Sequence, residues 1–89
     1  MISEADKKVI RECAAKYRVS SIYLFGSALR PDVEPHDLDI GVRGVRPELF
    51  FHFYGELIRQ LSKPVDVVDL SKNSSFTELV EEEGVRIYG

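Results

Sequence analysis

This chain should fold as an α/β (α+β) domain, a small mixed three-stranded sheet with helices packed on it. Three features of its 89 residues say so. Short β-rich runs, "SSIYLF", "DLDIGV" and "KPVDVVDL", alternate with longer segments whose apolar residues recur at three- and four-residue steps. Gly26 stops the first run, and Gly44 and Pro47 follow the second. A short connection joins the first two runs, whereas a helical segment separates the second from the third, which predicts one antiparallel and one right-handed parallel pairing.

Each element has its own justification. Ser3 is the N-cap of a first helix over residues 4 to 18, with Asp6 in a capping-box position. Ala5, Val9, Ile10, Cys13, Ala14 and Tyr17 form its apolar stripe, so Cys13 reads as a small buried hydrophobe. Residues 20–25 form the first strand. "SALR" makes one helical turn before Pro31, and "PDVEPH" is a loop. The second strand, 37–42, turns Leu38, Ile40 and Val42 inward and Asp37 and Asp39 to the opposite face. A helix of about 24 Å follows over 47 to 62. The third strand lies in "KPVDVVDL", a last helix runs near 75 to 83 and ends at Gly84, and "VRIYG" is a short terminal extension.

Composition removes several classes of function. With 44% hydrophobic and 30% charged residues the chain is an ordinary globule, read as a single domain over residues 1–89. A net charge of −3 argues against a surface built to hold duplex nucleic acid. The apolar runs are too short to cross a bilayer and "MISEADKK" is no signal peptide, which predicts a cytoplasmic protein with no membrane partner. One cysteine excludes an internal disulfide and, with no ligand-spaced partners, a structural zinc site.

The informative stretch is "FGSALRPDVEPHDLDIGV". Asp37 and Asp39 stand two residues apart on one strand face, roughly 6.5 Å along the chain. Like charges this close raise each other's proton affinity unless a cation lies between them. The predicted pairing brings Asp66, at the start of the third strand, to the same level. Alone, each signal is bland: an Asp-x-Asp pair is often solvated, a Gly-Ser carries little information, and Asp66 could face water as an edge residue. Together, on neighbouring strands, they point to phosphoryl chemistry. Three carboxylates suit Mg2+, with Mn2+ as a substitute, because it takes oxygen ligands and works with substrate phosphates. Two such ions about 3.5–4 Å apart clamp the attacking and leaving oxygens of a displacement. Gly26 lets backbone approach a phosphate, Ser27 and the amides of the following turn donate to its oxygens, and Arg30 neutralises its charge. Asp69 faces away from Asp66 and is the weaker candidate. No P-loop, dinucleotide fingerprint, calcium loop or nucleophile elbow is present.

These residues resemble the minimal nucleotidyltransferases (the MNT antitoxin type) of the DNA polymerase beta superfamily, whose signature is Gly-Ser, a gap, Asp-x-Asp and a third Asp on a later strand. Here it reads "GS", "DLD" and "VDVVDL", and the likeness spans nearly the whole chain. It implies the nucleotidyltransferase fold, a Mg2+-dependent transfer of a nucleoside monophosphate, AMP from ATP or another NTP, to a hydroxyl, and Asp37, Asp39 and Asp66 as metal ligands and catalytic residues. It implies Gly26, Ser27 and Arg30 at the nucleotide. Two positions depart from the pattern: Ala28 stands where small members often carry Arg, and His36 where they carry Ser.

The core accounts for the whole length, so a partner or a second copy is expected to complete the acceptor site. In "PELFFHFYGELIRQLS", Phe50, Phe53, Tyr54, Leu57 and Leu61 make one stripe, which Phe51 and Ile58 widen. His52, Glu56, Arg59 and Lys63 form its polar strip. Such an arc is either deeply buried or partly an interface. The resemblance implies a small helical HEPN-type partner, the chain acting as antitoxin in a toxin–antitoxin pair. The alternative is a non-catalytic antitoxin that neutralises by contact and keeps a vestigial nucleotide site.

Overall fold

The order of elements follows the hydrophobic pattern closely. The computed structural model describes residues 2–29, 32 and 36–89, apart from the side chains of Ser27 and Ala28. Helix α1 (Glu4–Lys16) starts at Ser3, whose hydroxyl accepts from the Asp6 amide at 3.1 Å. It stops two residues short of the expected end because Arg18 turns left-handed at φ 56°. Strand β1 (Ser21–Phe25) leads into a 3₁₀ turn (Gly26–Leu29), and β2 covers Leu38–Arg43. Helix α2 (Phe50–Gln60) begins after a 3₁₀ turn (Pro47–Leu49), then come β3 (Val65–Asp69) and α3 (Ser75–Glu83), N-capped by Ser74.

Among the described residues the sheet carries four strands where the sequence predicts three, in the order β3-β2-β1-β4. The added strand, β4 (Val85–Tyr88), is the segment read as a terminal extension, and it pairs antiparallel with β1. Gly84 makes the tight passage from α3 into β4, since a Cβ there would lie 2.4 Å from the Val80 carbonyl oxygen and 2.8 Å from that of Leu24. The other pairings are as expected, β1–β2 antiparallel and β2–β3 parallel.

Alternation divides the sheet into two faces. Ile22, Leu24, Leu38, Ile40, Val42, Val65 and Val67 are buried on one face, in one core with Ile10, Ala14, Phe53 and Leu57 of α1 and α2. The other face carries Phe25, Asp39 and Arg43. Helix α3 covers part of it: Phe76 meets Phe25 edge to face at 5.8 Å, and Arg43 pairs with Glu81. Among the described residues no helix is long and apolar enough to cross a membrane.

Two buried carboxylates lock α1 to α2. The Asp6 carboxylate accepts from the Ser62 amide at 3.1 Å and the Ser62 hydroxyl at 2.6 Å. Glu56, expected on the polar strip of its helix, is buried instead and accepts from Lys16 (2.7 Å), Tyr17 (3.1 Å), Gln60 (3.1 Å) and the Cys13 thiol (3.5 Å). The Lys16 hydrogen bond, above all, holds the Glu56 carboxyl below its ordinary 4.5, against the opposing pull of burial. Burial pushes the Cys13 thiol up to about 11, so this cysteine packs as an inert hydrophobe. A lowered folded-state pKa stabilises the fold above the unfolded value and ceases to do so as pH falls through the folded one. Glu56→Gln is therefore expected to lower the urea midpoint at neutral pH and to flatten its decline below about 4.5. Equal acid dependence of the two proteins would show that Glu56 is not the group responsible.

Candidate active site

Register brings the site together. Phe25 pairs with Asp39 across β1 and β2, and Asp39 pairs with Asp66 across β2 and β3. Directly paired residues share a face, so Phe25, Asp39 and Asp66 form one row across three strands spaced about 4.8 Å apart. Asp37 precedes β2 by one residue and is exposed. The carboxyl of Asp39 sits above its ordinary 3.8, mainly because it is partly buried, then because of Asp66, then of Asp37. Asp66 and Asp37 thus both act electrostatically on Asp39.

Gly26 closes on this row from the end of β1. Its φ of +67° favours glycine, and a Cβ would lie 2.4 Å from Asp39 Oδ2. Gly26→Ala should lose stability through the left-handed backbone, about 1–2 kcal/mol, and displace the Asp39 carboxylate. The expected result is a lower melting temperature; a variant that melts unchanged would refute the close approach. The backbone of Ser27 continues the 3₁₀ turn after Gly26, while its side chain and all of Arg30 lie outside the described residues. Asp69 sits in register with the buried Val42, on the face away from Asp66, as expected.

Asp66 has a partner that the sequence reading missed. The Tyr54 hydroxyl lies 3.2 Å from Asp66 Oδ1 and 3.3 Å from the Val65 carbonyl, one proton for two acceptors. Sequence pattern places Tyr54 on an apolar stripe. The available signal was its hydroxyl, since a partly buried tyrosine usually finds a polar partner. Among the described residues no group of three or more His, Cys, Asp or Glu side chains is gathered to hold a metal ion. The donor set nevertheless fits a hard divalent cation in kind: carboxylate oxygens only, two of them in register on neighbouring strands. Like charges left facing one another also favour a cation between them.

Comparison with known proteins agrees with this fold. The family model "Polymerase beta, Nucleotidyltransferase" matches residues 7–89. A search of curated proteins finds no match. Among solved structures, a toxin–antitoxin crystal structure with AMP-PNP superposes with a TM-score of 0.75 at 24% identity, covering 93% of this chain and 73% of that one. A Shewanella oneidensis complex of a tri-AMPylated HEPN toxin with its MNT antitoxin gives 0.71 at 24% identity, over 94% and 70%. The MntA-HepT toxin–antitoxin gives 0.72 at 22% identity, over 98% and 73%. At these identities the structures establish the fold, and the family model establishes the family. From its pattern of paired carboxylates, its sheet and its match over nearly the full length, the chain belongs to the polymerase beta nucleotidyltransferases.

Proposed function

We propose that residues 1–89 form one catalytic domain that moves a nucleoside monophosphate, AMP from ATP, onto a hydroxyl of a partner protein, as the cytoplasmic antitoxin of a HEPN-type toxin. The row Asp39–Asp66, with Asp37 beside it and Gly26 against it, carries this reading. Asp37, Asp39 and Asp66 would hold Mg2+, which when bound supplies neutralisation of charge on the reacting phosphates. Gly26 admits phosphate oxygens close to the backbone, and Ser27 and Arg30 add a donor and a positive charge. The acceptor oxygen attacks the α-phosphorus, and its proton passes to the Asp66 carboxylate. The bond to pyrophosphate breaks, and its electron pair leaves with that group. Tyr54 steadies Asp66 through its hydroxyl. Catalysis of this kind rests on positioning and electrostatics.

The test is incubation with ATP labelled on its α-phosphate, Mg2+ and a small helical candidate partner. Label should move to the partner and cease to move with Asp39→Asn; transfer that survives the substitution rejects the assigned site. A second reading, neutralisation by contact, is favoured by the outer face of α2, where Phe51 is 80% exposed and Ile58 59% exposed. On that reading a variant with all three aspartates changed to Asn still neutralises the partner, and Phe51→Ser with Ile58→Ser does not.

A further inference from the structure

A cleft of about 370 Å³ opens beside Gly26, on the carboxylate face, and nothing in the proposed chemistry uses it. Phe25, Gly26, Leu29, Phe76, Leu79 and Glu83 line it. One of its lining residues, Phe25, pairs with Asp39, so it begins one strand spacing, about 4.8 Å, from the reacting centre. Phe76 and Leu79 are each 48% exposed, a large apolar surface left in water within a concavity. The volume falls in the range of small-molecule sites, about 300–1,000 Å³. Among the described residues the Glu83 side chain has no hydrogen-bond or ion-pair partner, and its carboxylate oxygens are acceptors.

We propose that this cleft seats the nucleobase of the nucleotide donor, the base lying against Phe25, Phe76 and Leu79. The inference rests on the nucleotidyl-transfer reading and adds what that reading leaves open, the base. A flat aromatic ring suits an apolar, phenylalanine-lined cleft contiguous with the phosphate-binding turn. A peptide would instead bring backbone amides and carbonyls that these side chains cannot satisfy. Glu83 accepts from an exocyclic amine, which favours adenine, guanine or cytosine over uracil.

Calorimetry with the full chain and Mg2+ tests it, using ATP, UTP and inorganic tripolyphosphate. Leu79→Trp, which fills the cleft from an exposed position, should weaken ATP about tenfold, the size of one base–aromatic contact, and leave tripolyphosphate unchanged. Leu79→Gln, a milder change, should act in the same direction and serves if the Trp variant does not fold. ATP should bind more tightly than UTP, and Glu83→Gln should narrow the gap. Saturation-transfer NMR should show base protons receiving magnetisation from phenylalanine rings. ATP affinity unchanged in both Leu79 variants, with tripolyphosphate still bound, overturns the cleft and spares the transfer reading. A wild-type chain that binds neither ATP nor tripolyphosphate overturns both.

Discussion

Asp39→Asn is expected to lower the proposed nucleotidyl transfer by about a thousandfold and, in the same protein, to raise the melting temperature of the metal-free chain. Tenfold in rate corresponds to about 1.36 kcal/mol, so the loss amounts to about 4 kcal/mol, within what charge stabilisation of reacting phosphates supplies. The stability gain has a separate origin. Burial first, then Asp66, then Asp37 raise the Asp39 carboxyl above its ordinary 3.8. A group whose folded pKa is raised supports the fold fully below the unfolded value, and that support is lost as pH rises through the folded one. At neutral pH the wild type therefore carries the cost of a partly buried charge facing two others, and the neutral amide does not. Thermal melts across pH should separate the two proteins above about 3.8, the variant melting higher. Added Mn2+ should stabilise the wild type and have little effect on the variant. A variant that melts lower at neutral pH would show that Asp39 is held by favourable contacts, and the electrostatic description would fail.

Phe53→Ala should cost about 3–5 kcal/mol, out of a total near 5–10 kcal/mol for a chain of this size. Phe53 is wholly buried and meets the edge of Tyr17 at 5.7 Å with an interplanar angle of 77°. Truncation leaves a cavity beneath the ring whose hydroxyl reaches Glu56, so packing and the polar lock between α1 and α2 weaken together. The control lies two residues earlier on the same helix. Phe51 is 80% exposed, and Phe51→Ala should change stability by no more than about 0.5 kcal/mol. Urea unfolding of both variants measures this directly; equal losses would mean that α2 is seated differently on the sheet.

The sequence made the carboxylate row legible because strand alternation and pairing direction are set by short-range rules. Leu38, Ile40 and Val42 marked the inward face of β2, and a helical crossover dictated the parallel β3, which was enough to place Asp66 beside Asp39. The fourth strand was not legible. Val85, Arg86, Ile87 and Tyr88 show no clean alternation, being exposed or half-buried, and their place is set by backbone pairing with β1. Glu56 was misread for a related reason. Its own helix offers it only Gln60, and its other partners, Lys16, Tyr17 and Cys13, come from α1 and its C-cap. Phe25 and Tyr54 were invisible beside the aspartates because one looked like an ordinary strand end and the other like core; register puts Phe25 next to Asp39, and the seating of α2 on the sheet brings the Tyr54 hydroxyl to Asp66.

The position of β3 at the border of the sheet has a consequence for the protein's solubility. Without its two aspartates the strand would be an uncharged, valine-rich ribbon, the kind of segment that recruits strands from neighbouring molecules into ordered aggregates. Asp66 and Asp69 place a negative charge on each side of that ribbon, so two such borders repel before they can join. Substituting Asp66 by Asn to test the proposed chemistry should therefore also raise turbidity in concentrated solution.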